Sequence, residues 1–304
     1  GEGALASYFG RINYNYDERY MFTAVMRADG SSNFAEDNRW GYFPSFSAGW
    51  VMTEESFLDG GQILDFLKIR ASWGQNGNAS IDPFQYLATI AFDESNAYSF
   101  GNTKTSQSTG AYADVLPNPD ITWETSEQLN IGFDSRFFDQ RLGINFDWYN
   151  KTTKDWLVRA PILLSYGTDA PFINGGDVEN KGVELAVSWN ERIGDLTYGI
   201  NANMSMNDNE VTRIANDEGI IHGEPNVLSQ GTTEMYRAEE GFPIGYFWGY
   251  KTAGIFQTQE QVNNAETTLQ ENPQPGDVIF VDTNDDGVIN VDDKTMIGNP
   301  HPDL

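Results

Sequence analysis

The chain has 304 residues, 45 of them acidic against 18 basic, for a formal charge of −27, with 39% hydrophobic and 13% aromatic residues. That content is too apolar and too aromatic for a disordered acidic tail, so the chain folds, and a negative field of this size repels phosphate backbones, which removes nucleic acid as a partner. With no Cys and only His222 and His301, disulfides, thiolate nucleophiles, Cys-ligated zinc and multi-His metal sites are excluded.

No window reaches the roughly 18 to 20 consecutive apolar residues of a membrane-spanning helix, and the N-terminal stretch lacks a signal-peptide layout, so any membrane span is β. In chain order the dominant signal is period two in segments of about ten residues. Tyr8, Gly10, Ile12, Tyr14 and Tyr16 alternate with polar neighbours, and Tyr20 to Asp29 does the same through Phe22, Ala24 and Met26. Weaker alternation runs through Tyr42 to Trp50 and Leu67 to Trp73, with a further candidate strand at Phe84 to Phe92. Gln128 to Phe137 and Leu142 to Trp148 follow, then Val183 to Trp189. The cleanest case is last: Leu196, Tyr198, Ile200, Ala202, Met204 and Met206 stand against Thr197, Gly199, Asn201, Asn203 and Ser205. One more strand is expected at Tyr246 to Phe256.

The connections alternate in length. Asp17 to Arg19, Phe138 to Arg141 and Asn190 to Asp195 are short, and Thr53 to Asp65 is moderate. Gly30 to Gly41, Gly74 to Glu127, Lys151 to Gly182 and everything after Asn207 are long, polar and rich in Gly, Asn, Asp, Ser and Thr. An up-and-down barrel with tight periplasmic turns and long outer loops keeps such an alternation, and a soluble sandwich has no reason to. Tyr16, Tyr20, Tyr42, Trp50, Trp73, Trp148 and Trp189 sit near strand ends, as interfacial girdles require. A barrel of about eight strands is filled by its own side chains and has no need of loops this long. The expectation is therefore all-β: an antiparallel transmembrane β-barrel segment from a larger barrel, with strands in residues 1–206 and a long extracellular region in 207–304. The chain also stops in a Pro-rich polar segment and not on a strand, which reads as an internal piece of a longer protein.

Six stretches carry a resemblance: RADGSSNFAEDNRWGYFPSFSAGW (Arg27 to Trp50), LKIRASWGQNGN (Leu67 to Asn78), LPNPDITWETSEQLNIGFD (Leu116 to Asp134), GGDVENKGVEL (Gly175 to Leu185), EGFPIGYFWGYKTAGIFQ (Glu240 to Gln257) and GDVIFVDTNDDGVINVDDKTMIGNPHPDL (Gly276 to Leu304). Together, and in this order, they resemble the SusC/RagA-type TonB-dependent outer-membrane transporters of Bacteroidetes. The resemblance implies a barrel of about 22 strands with a plugged lumen, of which this chain would be the C-terminal half without the last strands. It implies outer-membrane location among outer-membrane lipid, oligosaccharide or oligopeptide cargo, a SusD-like surface lipoprotein as a lid, and coupling to the TonB complex through parts not in this chain. The signal peptide, N-terminal extension, TonB box, plug and final aromatic strand of the family have no counterpart in these residues.

Among local motifs, DTNDDGVINVDD fits an acidic calcium loop in all but its last position: Asp282, Asn284 and Asp286 at one, three and five, Gly287 at six, the Val288 carbonyl at seven, Ile289 at eight and Asp293 at twelve, where Glu is usual. Its alternative is a solvated Asp/Asn/Gly turn. Tyr112, Trp123, Trp156, Tyr166, Tyr236, Tyr246, Phe247 and Trp248 lie in or beside long loops, where rings stack on sugars or contact peptide side chains, or else pack the loops against each other or the lipoprotein. His222 stands in a polar loop with no nucleophile signature, and the adjacent carboxylates Glu54-Glu55, Glu239-Glu240 and Asp285-Asp286 lack the opposed geometry of a glycosidase pair, so no catalytic residue is assigned. The chain reads as a transport protein and not an enzyme. The competing reading is a soluble or surface-anchored all-β carbohydrate-binding module, whose apolar strand faces would meet in a core.

Overall fold

The structure, a computed structural model, describes residues 3–58, 63–99, 107–159, 162, 164–224, 227, 231, 233–265 and 268–301, with the backbone alone for 93–99 and 107–109. Two compact units result, Gly1–Asp217 and Glu218–Asp303.

The first unit is built on one eight-stranded antiparallel sheet. Its strands are β1 (Leu5–Tyr16), β2 (Tyr20–Ser31), β3 (Trp40–Val51), β4 (Leu64–Asn78), β5 (Glu124–Phe137), β6 (Leu142–Lys154), β7 (Gly176–Ile193) and β8 (Leu196–Ile214). Each pairs with the next in chain order, so the meander expected from the alternation is present strand for strand. Strands of 12 to 19 residues exceed the roughly 9 to 11 that a tilted bilayer crossing needs. The alternation in β8 ends at Met206, but backbone pairing with β7 runs on to Ile214, because ladder hydrogen bonds do not depend on which side chains the strand carries. Among the described residues the sheet is open, with β1 and β8 at its edges.

Cross-strand register turns eight separate alternations into two continuous faces. Tyr14, Phe22, Ala48, Ala71, Ile131, Trp148, Val183 and Met206 form one row from β1 to β8. The adjacent row, one residue along each strand, is Asn15, Met21, Gly49, Arg70, Gly132, Asp147, Glu184 and Ser205 on the opposite face. A slip of one residue in any strand would exchange the two sets, so the register is strongly specified. At the β1–β2 turn Asp17 and Glu18 both adopt left-handed backbone (φ 54° and 53°), the two-residue turn whose twist matches that of the strands.

At the opposite end the loops make a core of their own. Phe34, Phe43, Ile81, Ile121 and Trp123 are buried together, with Ala79, Leu157 and Phe172 packed against them. Phe43 sits edge-on to Trp123 at 5.5 Å, and it fits because Gly77 carries no side chain: a Cβ there would meet the Phe43 ring at 1.9 Å. A hairpin of Ile90–Ser99 with Gln107–Ala113 lies in the β4–β5 connection. The strand expected from Phe84 starts only at Ile90, because Pro83 opens a turn in which Phe84 is left-handed (φ 68°) and its carbonyl accepts from Leu87 N.

The second unit contains β9 (Ile220–His222), β10 (Tyr236–Glu239), β11 (Tyr246–Tyr250), β12 (Thr252–Ile255), one turn-and-a-half helix α1 (Gln259–Asn263), β13 (Val278–Phe280) and β14 (Lys294–Gly298). Four strands pair in the order β9-β10-β11-β14, and β12 pairs with β13. The single strand expected over Tyr246 to Phe256 is thus two, broken at Lys251 because its halves take different partners.

Candidate functional site

The two faces of the large sheet differ in chemistry, and the difference is the first functional feature. On one face Ile12, Phe22, Met26, Phe46, Ile131, Met204 and Ile200 are exposed, Ile200 by 63%. Eight strands of uncovered apolar surface far exceed the few hundred Å² patch that a water-soluble monomer tolerates. Indole and phenol groups finish this face at both ends. At the turn end Trp50 Nε1 donates to Glu55 at 3.1 Å, Tyr20 OH donates to the same carboxylate, and Arg19 pairs with it at 3.4 Å. The Tyr20 phenol, against desolvation and with help from Trp50 and Arg19, holds the Glu55 carboxyl below its ordinary range. Towards the loop end Trp73 Nε1 donates to Glu127 at 3.0 Å. Rings in the apolar band with N–H and O–H groups turned to polar partners are the arrangement of a membrane interface.

The other face is polar and charge-paired. Arg70 on β4 reaches across β5 to Asp147 on β6 with a two-pronged contact, 2.9 and 2.8 Å, and its Nε lies 3.0 Å from Asp134 on β5. The reach depends on Gly132, which stands between Arg70 and Asp147 in the register: a Cβ there would lie 2.6 Å from Asp147 Oδ1. Asn145, Asn201, Asn203, Ser188 and Ser205 line the rest of an open groove on β6–β8. This network was not singled out from sequence. The charges stand at polar positions of the alternation, but only the register brings Arg70 and Asp147 together.

The loop aromatics separate into packed and exposed sets. Trp123 is 7% exposed, inside the loop core, with its indole N–H on Arg39 O at 3.0 Å, so its ring face is taken. Trp156 is partly buried, with its backbone N–H on Gly176 O. Tyr112 is exposed on the β4–β5 hairpin opposite Ala91, and Tyr166 is 60% exposed in a 3-10 turn. In the second unit Tyr246 is fully buried and its hydroxyl donates to Glu239, while the Arg237 guanidinium lies 3.7 Å from the centre of the Trp248 ring. Desolvation, with Glu239 alongside, pushes the Tyr246 phenol well above its usual range. Tyr236 and Phe247, both exposed, are brought together as a cross-strand pair.

His222 lies between two carboxylates, with Glu234 at 2.7 Å from Nδ1 and Glu218 at 3.1 Å from Nε2, and Glu234 also pairs with Arg237. Burial works against the imidazolium, but the two carboxylates outweigh it and the His222 pKa is raised. Among the described residues no nucleophile is hydrogen-bonded to His222, and what the arrangement does is clamp β9 to the residues that precede β10.

In the DTNDDGVINVDD segment, Asp282, Asn284 and Asp286 are gathered on one turn. Asp282 accepts from Gly287 N at 2.8 Å and Asp286 N at 3.3 Å, Asn284 Oδ1 from Asp286 N at 3.0 Å, and Asp286 from Val288 N at 2.8 Å. Asp285 and Gly287 are left-handed, which closes the turn. Asp293 is fully buried and bridges the ends, Oδ1 accepting from Thr283 N and Oδ2 from Asn290 N, both at 2.8 Å. The Asn290 N–H, against desolvation and with Thr283 assisting, keeps this carboxyl below its usual range. Ile289 is buried beneath the turn. Among the described residues no three of His, Asp and Glu gather as a metal site by themselves. A calcium ion here would lean on Asn284, the Val288 carbonyl and water as well.

The family model described as "TonB dependent receptor-like, beta-barrel" matches residues 2–282. Over the whole chain there is 36% identity to TonB-dependent receptor P3 of Formosa agariphila, covering 30% of that protein. TonB-dependent receptor SusC of Bacteroides thetaiotaomicron is 34% identical over 99% of this chain and 29% of its own length. The chain thus spans about three-tenths of the length of these curated relatives. Among solved structures, the RagAB peptide transporter superposes with a TM-score of 0.79 at 24% identity, over 97% of this chain and 30% of that one, which speaks for the fold. An eight-strand meander with one apolar face, one charge-paired face and long loops at one end is consistent with that relationship, and the chain belongs to the TonB-dependent receptor family, a SusC/RagA-type segment of a multi-pass outer-membrane β-barrel.

Proposed function

We propose that the protein to which this segment belongs imports nutrient oligomers, oligosaccharides or oligopeptides, across the outer membrane in a TonB-dependent manner, with a SusD-like surface lipoprotein as its lid. The observation that carries the reading is the pair of faces: lipid-compatible residues on one side of eight consecutive strands and, on the other, an Arg70–Asp134–Asp147 network amid Asn and Ser side chains that suits a hydrated passage. Support for the cargo class and the lid comes from relatives, one named SusC and another described as the RagAB peptide transporter. Binding and gating, not bond chemistry, is the mechanism, since the titratable groups here serve as clamps and caps. A carbohydrate-binding module would need Ile200 and its row to face a core, and they are exposed. Calcium at Asp282 to Asp293 is a secondary proposal, with stiffening of an outer loop as its role.

The test is deletion of the gene, followed by growth on defined oligosaccharide or oligopeptide mixtures as sole nutrient, and affinity capture of the native protein in mild detergent. Growth lost on one nutrient class and a co-purifying lipoprotein are expected. Unchanged growth on every mixture, with no lipoprotein captured, would sink the importer reading.

A further inference from the structure

The four-stranded sheet of the second unit has two unlike faces. On one, Tyr246 is fully buried and the Arg237 guanidinium covers the Trp248 ring. On the other, Tyr236 and Phe247 stand directly opposite each other across β10–β11, exposed by 37% and 47%. Ile297 on β14, 51% exposed, joins them: the Cβ position of Gly249, two residues past Phe247 and so on the same face, lies 3.1 Å from Ile297 Cδ1. These side chains lie down on the sheet where glycine makes room, since a Cβ at Gly223 would come within 2.9 Å of the Tyr236 ring. Two rings and a branched aliphatic chain thus form an open apolar shelf.

The edge beside the shelf is open as well. Among the described residues β14 pairs with β11 alone, so the backbone groups along its other side are available to an extended chain. A peptide added there as a fifth strand places every second side chain on the shelf, next to Ile297. A sugar stacks on the rings but has no backbone ladder to offer the edge. Charge narrows the ligand further. From Glu218 onwards the Lys and Arg side chains are Arg237, Lys251 and Lys294, and apart from two histidines every other charged side chain is a carboxylate. Arg237 is already bound by Glu234, and Lys294 Nζ donates to Thr233 at 2.9 Å and stands over the Tyr250 ring. The acidic turn from Asp282 to Asp293 leads straight into β14, and its Asp285 and Asp292 are exposed and lie outside the set that would hold calcium. A chain carrying cations is drawn to this unit, and one carrying anions is repelled.

We propose that the shelf and the β14 edge form a binding site for short cationic oligopeptides in extended form. Apolar side chains at alternate positions sit on Tyr236, Phe247 and Ile297, and lysine or arginine side chains at the positions between are held by the carboxylates of the same unit. β14 is five residues long and suits a ligand of about that length. The inference rests on the import reading and narrows its cargo, selecting peptide over oligosaccharide and positive over negative charge.

The experiment uses the full-length protein purified from outer membranes in a non-ionic detergent, with binding read by fluorescence anisotropy. The probes are a labelled pentapeptide of alternating lysine and leucine, its glutamate-leucine counterpart and its lysine-serine counterpart. Wild type is expected to bind the lysine-leucine peptide roughly tenfold more tightly than either counterpart, and F247T/I297T to lose about the same factor. D285N/D292N should weaken binding and flatten its dependence on salt, while F57T, at an equally exposed ring in the turn between β3 and β4, keeps the wild-type affinity. Equal affinity for the lysine and glutamate peptides overturns the assignment. So does wild-type peptide binding by F247T/I297T with capture of the lipoprotein lost instead, which would give the shelf to the lid. If peptide binding fails while deletion of the gene still abolishes growth on oligosaccharide, only this inference falls; if the peptide binds as expected but deletion leaves growth on every mixture unchanged, the import reading falls.

Discussion

Asp293 spends both carboxylate oxygens on backbone N–H groups of Thr283 and Asn290, and that sets the strength of any calcium site in its loop. Bidentate closure by the twelfth residue is what gives a calcium loop its tight affinity, and Asp is too short and too committed to supply it. Titration calorimetry of the full chain should therefore give a dissociation constant of about 10⁻⁴ to 10⁻³ M, the class of extracellular modules, with the heat lost in D282N/D286N. Submicromolar binding, or no heat at ten times that range, contradicts the proposal. His222 sets a second local test. Its folded pKa is raised above the ordinary 6.5 by Glu218 and Glu234 against desolvation, so the clamp stabilises fully below the unfolded value and is lost as pH rises through the folded one. Hydrogen-exchange protection of the β9–β10 amides should fall across that window and be flat with pH in H222Q; an equal fall in H222Q would clear His222 of the effect. From sequence the spacing of the Asp282 loop was legible because its ligands are local. The clamp was not, because Glu234 and Arg237 approach His222 through strand pairing and not through chain proximity.

At the scale of strands, alternation revealed which elements exist but not where they end. β7 and β8 run beyond their apolar stretches because the ladder between them is made by backbone groups, and polar side chains leave no periodic mark. The Phe84 strand failed for the converse reason, since an apolar run preceded by Pro83 turns before it extends. Trp123 was legible as a loop aromatic but not as a buried one: its partners are Phe34 from the β2–β3 connection, Phe43 from β3 and Ile81 from the far end of its own connection. The face assignment, in contrast, follows from period two alone and makes a sharp prediction. Ile200→Lys places a charge on the lipid face of β8 and should cost roughly 2 to 4 kcal/mol near the midplane, falling towards the ends of the strand. Asn201→Lys, one residue along and on the inner face, should cost far less. Reversible folding of the full-length barrel into bilayers measures both, and equal costs would mean that the two faces do not divide lipid from water.

For the whole molecule the open edges and the uncovered face belong to one argument. β1 and β8 each leave a row of backbone N–H and C=O groups, which in hydrocarbon must be satisfied by further strands. An eight-strand sheet with one apolar face is therefore a stave of a wider barrel, and its short turns and long loops must lie on opposite sides of the membrane. The absence of cysteine from these 304 residues makes that side directly readable. Tyr166→Cys, exposed in the connection between β6 and β7, should react with a membrane-impermeant maleimide on intact cells. Asp195→Cys, in the tight turn between β7 and β8, should react only after the outer membrane is opened. The turn was chosen there because Asp17 and Asp139 are left-handed and a cysteine would strain them. Labelling of Asp195→Cys on intact cells, with Tyr166→Cys protected, would invert the topology: the loop core would then face the periplasm, and no surface lid could reach it.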